Sequence, residues 1–169
     1  MGFFDKILGS SEPNTPQPLN VSDDVVVSPV NGNVIDIKTV SDSLFSDELM
    51  GKTCAIEVPE DTAYVCSPAN GSIKALFPTG HAFGIELNNG CEILVHIGID
   101  TVNAKGKGFD ILAEKGMKVK AGQPIVKVNF KELKKKYSMP VMVIVTKNIN
   151  DMINFITLQE VKIGDQLNK

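Results

Sequence analysis

Phe83-Gly84-Ile85-Glu86-Leu87-Asn88-Asn89-Gly90-Cys91-Glu92-Ile93-Leu94-Val95-His96-Ile97-Gly98-Ile99-Asp100-Thr101-Val102 sets two short apolar runs on either side of an Asn-Asn-Gly turn. Asn-Gly between such runs is among the strongest short-range hairpin signals, because both residues accept the backbone angles that a tight turn demands. The segment therefore predicts a strand over 83–87 that returns over 92–96. With a strand's period of two, Cys91, Ile93, Val95, Ile97 and Ile99 share one face, and Glu92, Leu94, His96, Gly98 and Asp100 share the other. The first set predicts core. The second is mixed, so His96 faces a semi-polar surface on a stiff β scaffold, where a nucleophile or a ligand would stand.

The only other histidine, His81, lies fifteen residues earlier, in Phe77-Pro78-Thr79-Gly80-His81-Ala82-Phe83, just after a Pro/Gly turn signal. Paired strands lie roughly 5 Å apart, so the hairpin predicts a site with two imidazoles. An unperturbed imidazole has a pKa near 6.5 and is about three-quarters neutral at pH 7, so it needs no separate general base. A backbone carbonyl at the bend near Gly98 is the natural acceptor for one ring N–H, which decides the nitrogen left to react. Asp100 is four residues along, roughly 13 Å on a straight strand. Its carboxylate approaches His96 only if the chain bends at Gly98.

Outward from the hairpin the chain is β-rich. Ser28-Pro29-Val30-Asn31-Gly32-Asn33-Val34 recurs thirty-nine residues later as Ser67-Pro68-Ala69-Asn70-Gly71-Ser72-Ile73. Each copy reads as a strand, an Asn-Gly turn and a return strand, and two copies predict a pseudo-symmetric pair of sheets. Further strands are predicted over 54–58, 63–66, 117–120, 124–128 and 141–145, with a short helix over 131–137. The fold class is all-β: an antiparallel sandwich or barrel built from a duplicated motif, with one or two short helices.

Composition narrows the function classes. At 169 residues and 43% hydrophobic, the chain suits one domain, and a chain of that size buries roughly 70% of its unfolded surface. A net charge of −3 gives no footprint for nucleic acid, and Lys134-Lys135-Lys136 reads as the solvated face of a short helix. Cys54, Cys66 and Cys91 are odd in number and not closely paired, which argues against a disulfide framework or a zinc ribbon and suits a reducing cytoplasm. No long apolar run or signal-peptide pattern is present, so neither a spanning segment nor export is expected. In residues 1–10, Phe3, Phe4, Ile7 and Leu8 recur at helical spacing, and residues 10–18 are rich in Pro, Ser, Asn and Gln. Residues 1–20 thus read as a flexible tail, and residues 21–169 as the domain.

The Gly90 to Val102 stretch resembles the phosphorylation-site signature of the glucose-family IIA components of the bacterial phosphoenolpyruvate-dependent sugar phosphotransferase system. The segment from Phe77 to Phe83, Lys105-Gly106-Lys107-Gly108-Phe109 and the opening Met1-Gly2-Phe3-Phe4-Asp5-Lys6 are similar to that family too, so the likeness runs nearly end to end. The resemblance implies a β-sandwich built from a duplicated motif. It implies that His96 accepts a phosphoryl group on Nε2 from the phosphocarrier HPr and passes it to a cysteine of a IIB domain. His81 would stabilise the phosphoryl group, Thr79 would hydrogen-bond to His81, and Asp100 would support the site from its edge. Phe77, Phe83, Leu94 and Ile97 would form the partner surface, less aromatic than in many relatives, where phenylalanine replaces Leu94 and Ile97; for Phe83 the residues themselves favour plain packing in the core as its sole role.

Further expectations follow from the same likeness. The protein would be a cytoplasmic monomer needing no cofactor beyond the transient phosphoryl group. Its partners would be HPr, the IIB domain of a sugar permease, and permeases or metabolic enzymes that sense its phosphorylation. The tail reads either as a weak amphipathic membrane tether or as a plain disordered terminus.

Two other classes stay open. Met117-Lys118-Val119-Lys120-Ala121-Gly122-Gln123-Pro124 resembles the hairpins of lipoyl and biotinyl carrier domains, which would make Lys118 a modified, swinging arm. His96-Ile97-Gly98-Ile99-Asp100 has an H-x-x-x-D spacing also used by lysostaphin-like zinc peptidases. Those enzymes add an H-x-H pair that this chain lacks. Zinc would have His81 and His96 and would need a third ligand, such as a partner's carboxylate.

Overall fold

The computed structural model of the protein describes residues 15–169. Its strands are β1 (Gly32–Ile35), β2 (Lys52–Glu57), β3 (Thr62–Cys66), β4 (Gly71–Leu76), β5 (Ala82–Leu87), β6 (Glu92–Ile97), β7 (Phe109–Ile111), β8 (Lys118–Val119), β9 (Pro124–Asn129), β10 (Val141–Lys147) and β11 (Glu160–Val161). Two single-turn helices are added, α1 (Ser43–Ser46) and α2 (Phe130–Leu133). The hairpin forms as its sequence reads, with Ile85 opposite Ile93 and Ala82 opposite His96. Its three-residue loop closes with the Gly90 N–H donating to the Leu87 carbonyl (2.9 Å) and the Leu87 N–H to that of Cys91 (2.8 Å).

Eight strands form one antiparallel sheet in the order β11-β1-β2-β10-β6-β5-β4-β8, and β3-β9-β7 form a second. The larger sheet is palindromic about the β10–β6 pair. Gly32 opposite Val161 in one half matches Gly71 opposite Val119 in the other. The main core lies between the sheets, where Ile56, Ile85, Val95 and Val143 meet Val65, Val126 and Val128. A second, smaller cluster of Val40, Phe45, Ala55, Ile99, Met142 and Ile144 covers part of the outer face of the large sheet.

The duplicated motif differs from its sequence reading. Each Ser-Pro-x-Asn-Gly copy is a corner, not a hairpin: β3 belongs to the small sheet and β4, directly after the second copy, to the large one. The buried Ser28 and Ser67 hydroxyls make the corner by donating two residues ahead, to Val30 (2.6 Å) and Ala69 (2.7 Å). The copies also bond to each other reciprocally, Val27 N–H to the Pro68 carbonyl (2.7 Å) and Cys66 N–H to that of Pro29 (2.9 Å). Asn31 and Asn70 repeat the pattern, accepting from the Ile163 and Ala121 N–H groups. The duplication therefore yields two halves of one sheet, not a pair of sheets.

Two further boundaries shift. The helix expected over 131–137 is a single turn, Phe130–Leu133, continued by hydrogen-bonded turns to Tyr137, whose half-buried ring packs against the core beyond the exposed Lys134–Lys136. The strand alternation expected through Asp100 stops at Ile97, and Ile99 crosses to the outer cluster. Leu19 lies within the stretch read as tail. The Leu19 N–H donates to the Ala121 carbonyl (2.8 Å), and the Leu19 side chain sits against both Gly122 and Gly164, corresponding glycines of the two halves. The amphipathic pattern over 1–10 lies outside the described residues. Among those described, no helix is long and apolar enough to cross a membrane.

The two corners require glycine. A Cβ at Gly32 or Gly71 would stand 2.0 Å from the carbonyl oxygen of Glu57 or Glu86, whereas one at Gly84 would meet Ala75 Cβ at an ordinary 3.6 Å. Gly32→Ala and Gly71→Ala are each expected to destabilise the fold by about 3 kcal/mol, the upper range for overpacking, while Gly84→Ala stays near neutral. Denaturant unfolding of the three variants checks this; equal effects at all three positions would contradict the corner geometry.

Candidate active site

β6 carries His96 on the outer face of the large sheet, between Ala82 on β5 and Met142 on β10. The small alanine leaves room above the sheet for a second ring, and His81, at the entry to β5, fills it. The two imidazole centroids are 5.2 Å apart and nearly perpendicular, at 79°. The expected two-histidine site is therefore assembled by the hairpin.

Each ring has one nitrogen engaged. His96 Nδ1 lies 2.9 Å from the Gly98 carbonyl oxygen. A carbonyl only accepts, so Nδ1 carries the proton and Nε2 keeps its lone pair. The bend that delivers this carbonyl depends on Gly98, at φ +77°, where a Cβ would come within 2.6 Å of Met139 Sδ and Thr101 Cγ2. The bend is tied down by the Gly98 N–H to the Pro140 carbonyl (2.8 Å) and the Ile99 N–H to that of Ser138 (2.9 Å). His81 Nδ1 lies 2.5 Å from the Thr79 hydroxyl, the pairing expected from the resemblance. That leaves His81 Nε2 as the second ring's unengaged nitrogen.

Electrostatics keep His96 neutral. Burial, then the neighbouring His81, push its pKa down to about 4, against the opposing pull of the Gly98 carbonyl, Asp42 and Asp100. Burial also lowers the pKa of His81. At pH 7 the His96 ring is thus almost wholly neutral, beyond the three-quarters of a free imidazole.

The other expected residues separate clearly. Asp100 follows the bend in a left-handed conformation (φ +60°), exposed, and acts on His96 through space alone. Phe77 is 42% exposed, with its ring edge-on to His81 at 5.2 Å, and Leu94 is half-buried beside the outer cluster. Ile97 is corrected and Phe83 takes the packing role favoured for it: both are 0% exposed and pack in the main core, since they share the inward face with Ile85 and Val95. Neither belongs to a partner surface.

Sequence reasoning missed Phe45 and Asp42. The Phe45 ring lies 4.9 Å from that of His96, tilted 51°. Asp42 caps α1 by accepting from the Leu44 N–H (2.9 Å). The segment Ser41-Asp42-Ser43-Leu44-Phe45-Ser46 is too short for helical periodicity, and its one local signal is an acidic residue at an N-cap position.

The competing classes find less support. Lys118 stands within β8, paired to Ser72, and does not project from a turn. Among the described residues, no three His, Cys, Asp or Glu side chains converge on a metal position.

Comparison with known proteins gives concordant results. Residues 24–152 match the family model described as phosphoenolpyruvate-dependent sugar phosphotransferase system, EIIA 1. A glucose-specific EIIA component from Halalkalibacterium halodurans is 35% identical over 153 residues, covering 90% of this chain and 87% of that protein. A glucose-specific EIICBA component from Staphylococcus carnosus is 40% identical over 144 residues, 85% of this chain but 21% of that protein. The chain thus spans about a fifth of such fused relatives. The solved glucose permease IIA from Mycoplasma capricolum superposes with a TM-score of 0.80 at 34% identity, covering 85% of this chain and 93% of that one.

The low pKa of His96 fixes a sign. Unfolded His96 takes up a proton near pH 6.5, whereas the folded ring refuses it until about pH 4. Stability carried by this group is therefore present above about pH 6.5 and lost as pH falls toward 4. Denaturant unfolding at pH 7.5 and 5 is expected to show a loss that His96→Gln reduces, and an imidazole NMR titration should leave His96 neutral at pH 5.5. A His96 midpoint near 6.5 would contradict this geometry.

Proposed function

We infer function from membership: the chain belongs to the EIIA 1 family of the phosphoenolpyruvate-dependent sugar phosphotransferase system, and we propose that it is a phosphohistidine carrier acting through His96 Nε2. The observation that supports this most directly is the Nδ1 contact to the Gly98 carbonyl, which leaves Nε2 unprotonated beside a second imidazole. Phospho-HPr presents its phosphorus to that lone pair. The P–N bond to the donor breaks as the bond to Nε2 forms. The proton on Nδ1 stays in place, held by the carbonyl, so the product is an imidazolium carrying phosphate on Nε2.

The return step uses the same bookkeeping in reverse. A thiolate of a IIB domain attacks phosphorus, the P–Nε2 pair returns to the ring, and a neutral His96 leaves. Neither step moves a proton, which suits a transition state that asks mainly for in-line positioning and for donors around the equatorial oxygens. His81 Nε2, with Thr79 occupying Nδ1, is the donor for one of those oxygens. Relatives in which a EIIA sequence is fused within an EIICBA component support a IIB domain as the acceptor.

The phosphoryl oxygens carry about −1.5 to −2 charges, offset by the +1 of the imidazolium, so the site gains about one net negative charge on a surface bordered by Phe77 and Asp100. Permeases or metabolic enzymes that read this face would distinguish the two forms electrostatically. No resident cofactor enters the cycle. The two imidazoles offer zinc two ligands, and a third would come from a partner.

Incubation with phosphoenolpyruvate, enzyme I and HPr, followed by intact mass and peptide mapping, tests the reading. One acid-labile phosphoryl group is expected on His96 and none on His96→Ala. His81→Ala should still take it up but deliver it to a IIB cysteine about 10²- to 10³-fold more slowly, the loss typical of one preorganised donor. If the wild type takes up no phosphate, the carrier reading fails. An adduct on Lys118 in the same mass spectrum would point to a swinging-arm carrier instead.

A further inference from the structure

Phe45 is used by none of the steps above, yet among the described residues no aromatic ring centroid lies nearer to that of His96. It arrives on the segment 36–51 that links β1 to β2 and crosses the outer face of the sheet. Three features fix it there. The Asp42 cap holds the first turn of α1, and the Phe45 N–H donates to the Asp42 carbonyl (3.0 Å). The side chain itself is 3% exposed, packed with Val40, Ala55, Ile99, Met142 and Ile144.

This packing ties Phe45 to both other determinants of the His96 ring. Ile99 follows the Gly98 bend that supplies the Nδ1 acceptor, and Met142 is the cross-strand partner of His96. We propose that Phe45 is a positioning residue of the phosphorylation site: it excludes water from one flank of the His96 ring and blocks ring rotation, so that Nε2 alone faces the partner. This deepens the carrier reading and rests on it for its functional consequence, though not for its geometry.

Ring orientation matters because displacement of a reacting atom by about 1 Å costs up to about 10²-fold in rate. Water exclusion matters because burial is the largest influence on the His96 proton affinity. The charged or titratable groups that act on His96 are His81 at the entry to β5, Asp42 at the start of α1 and Asp100 after the bend; Met142, opposite on β10, is neutral. Loss of Phe45 therefore admits water without adding or removing a charge.

The test uses the full chain and needs no partner for its first measurement. The imidazole titration of His96 is followed by NMR in the wild type, Phe45→Leu, Phe45→Val and Phe45→Ala, with unfolding transitions recorded in parallel. The midpoint is expected to rise from Phe through Leu and Val to Ala, by about one pH unit in Ala. Transfer from phospho-His96 to a IIB thiol at pH 7 should fall about 10-fold in Ala and recover largely in Leu, which refills the flank. A midpoint unchanged in every variant with an intact unfolding transition overturns the proposal, and Phe45→Leu retains enough buried volume to keep that outcome readable. A wild type that takes up no phosphate while the titrations shift as expected counts against the carrier reading and leaves the role of Phe45 standing.

Discussion

One hydrogen bond sets the terms for the site: the Gly98 carbonyl holds the proton of His96 on Nδ1. Imidazole offers two nitrogens, and without a fixed acceptor either could carry the proton or react. The carbonyl can reach back only because the chain turns sharply at a residue with positive φ and no Cβ, between Met139 and Thr101. The Thr101 hydroxyl, fully buried, seals the turn by donating to the Ile97 carbonyl (2.5 Å). Behind it lies the central β10–β6 pair, flanked on both sides and so unable to fray. The His96 ring therefore stands at the end of a central strand of the sheet.

The same duplication that builds the sheet explains why there is one site and not two. The β10–β6 register places the pseudo-dyad at the Val143–Val95 pair, which relates His96 to Ile144 and His81 to Lys52. Both members of the first pair face outward, but Ile144 lies in the second apolar cluster. The connections have diverged correspondingly. Residues 77–81 make a short β4–β5 link that ends in His81, whereas residues 36–51 make a long β1–β2 link that folds over the sheet. One half of a symmetric scaffold thus supplies the imidazoles, and the other supplies the apolar cover that reaches His96 through Phe45.

What could be read from the sequence follows the range of the interactions. The hairpin, the inward face of Ile93, Val95 and Ile97, the carbonyl at the Gly98 bend and the antiparallel β class rest on local turn chemistry and a period of two, and the structure contains all of them. The corners did not read correctly, because Asn-Gly signals a turn without saying which strands it joins, and here the partners are the distant Ile163 and Ala121. Family likeness points Ile97 to a partner surface, whereas the alternation places it inward, where it lies. Phe45 was invisible because it lies about fifty residues from His96, on a turn too short to show periodicity.

The depressed pKa of His96 has a use beyond keeping the ring neutral. Moving the pKa from about 6.5 to about 4 raises the neutral fraction at pH 7 by only about 1.3-fold. That gain is too small to explain a buried, doubly flanked ring, and a less basic nitrogen is also a poorer nucleophile. On the proposed carrier function the larger effect would fall on departure, since a less basic nitrogen releases phosphorus more readily. A carrier must give up what it accepts, and its intermediate is useful only if it stays near the energy of donor and acceptor. Burial of His96 beside His81 and Phe45 lowers its basicity, while the Gly98 carbonyl, Asp42 and Asp100 pull it back. In a phosphohistidine carrier, as proposed for this chain, these opposing influences would tune how readily the phosphoryl group moves on.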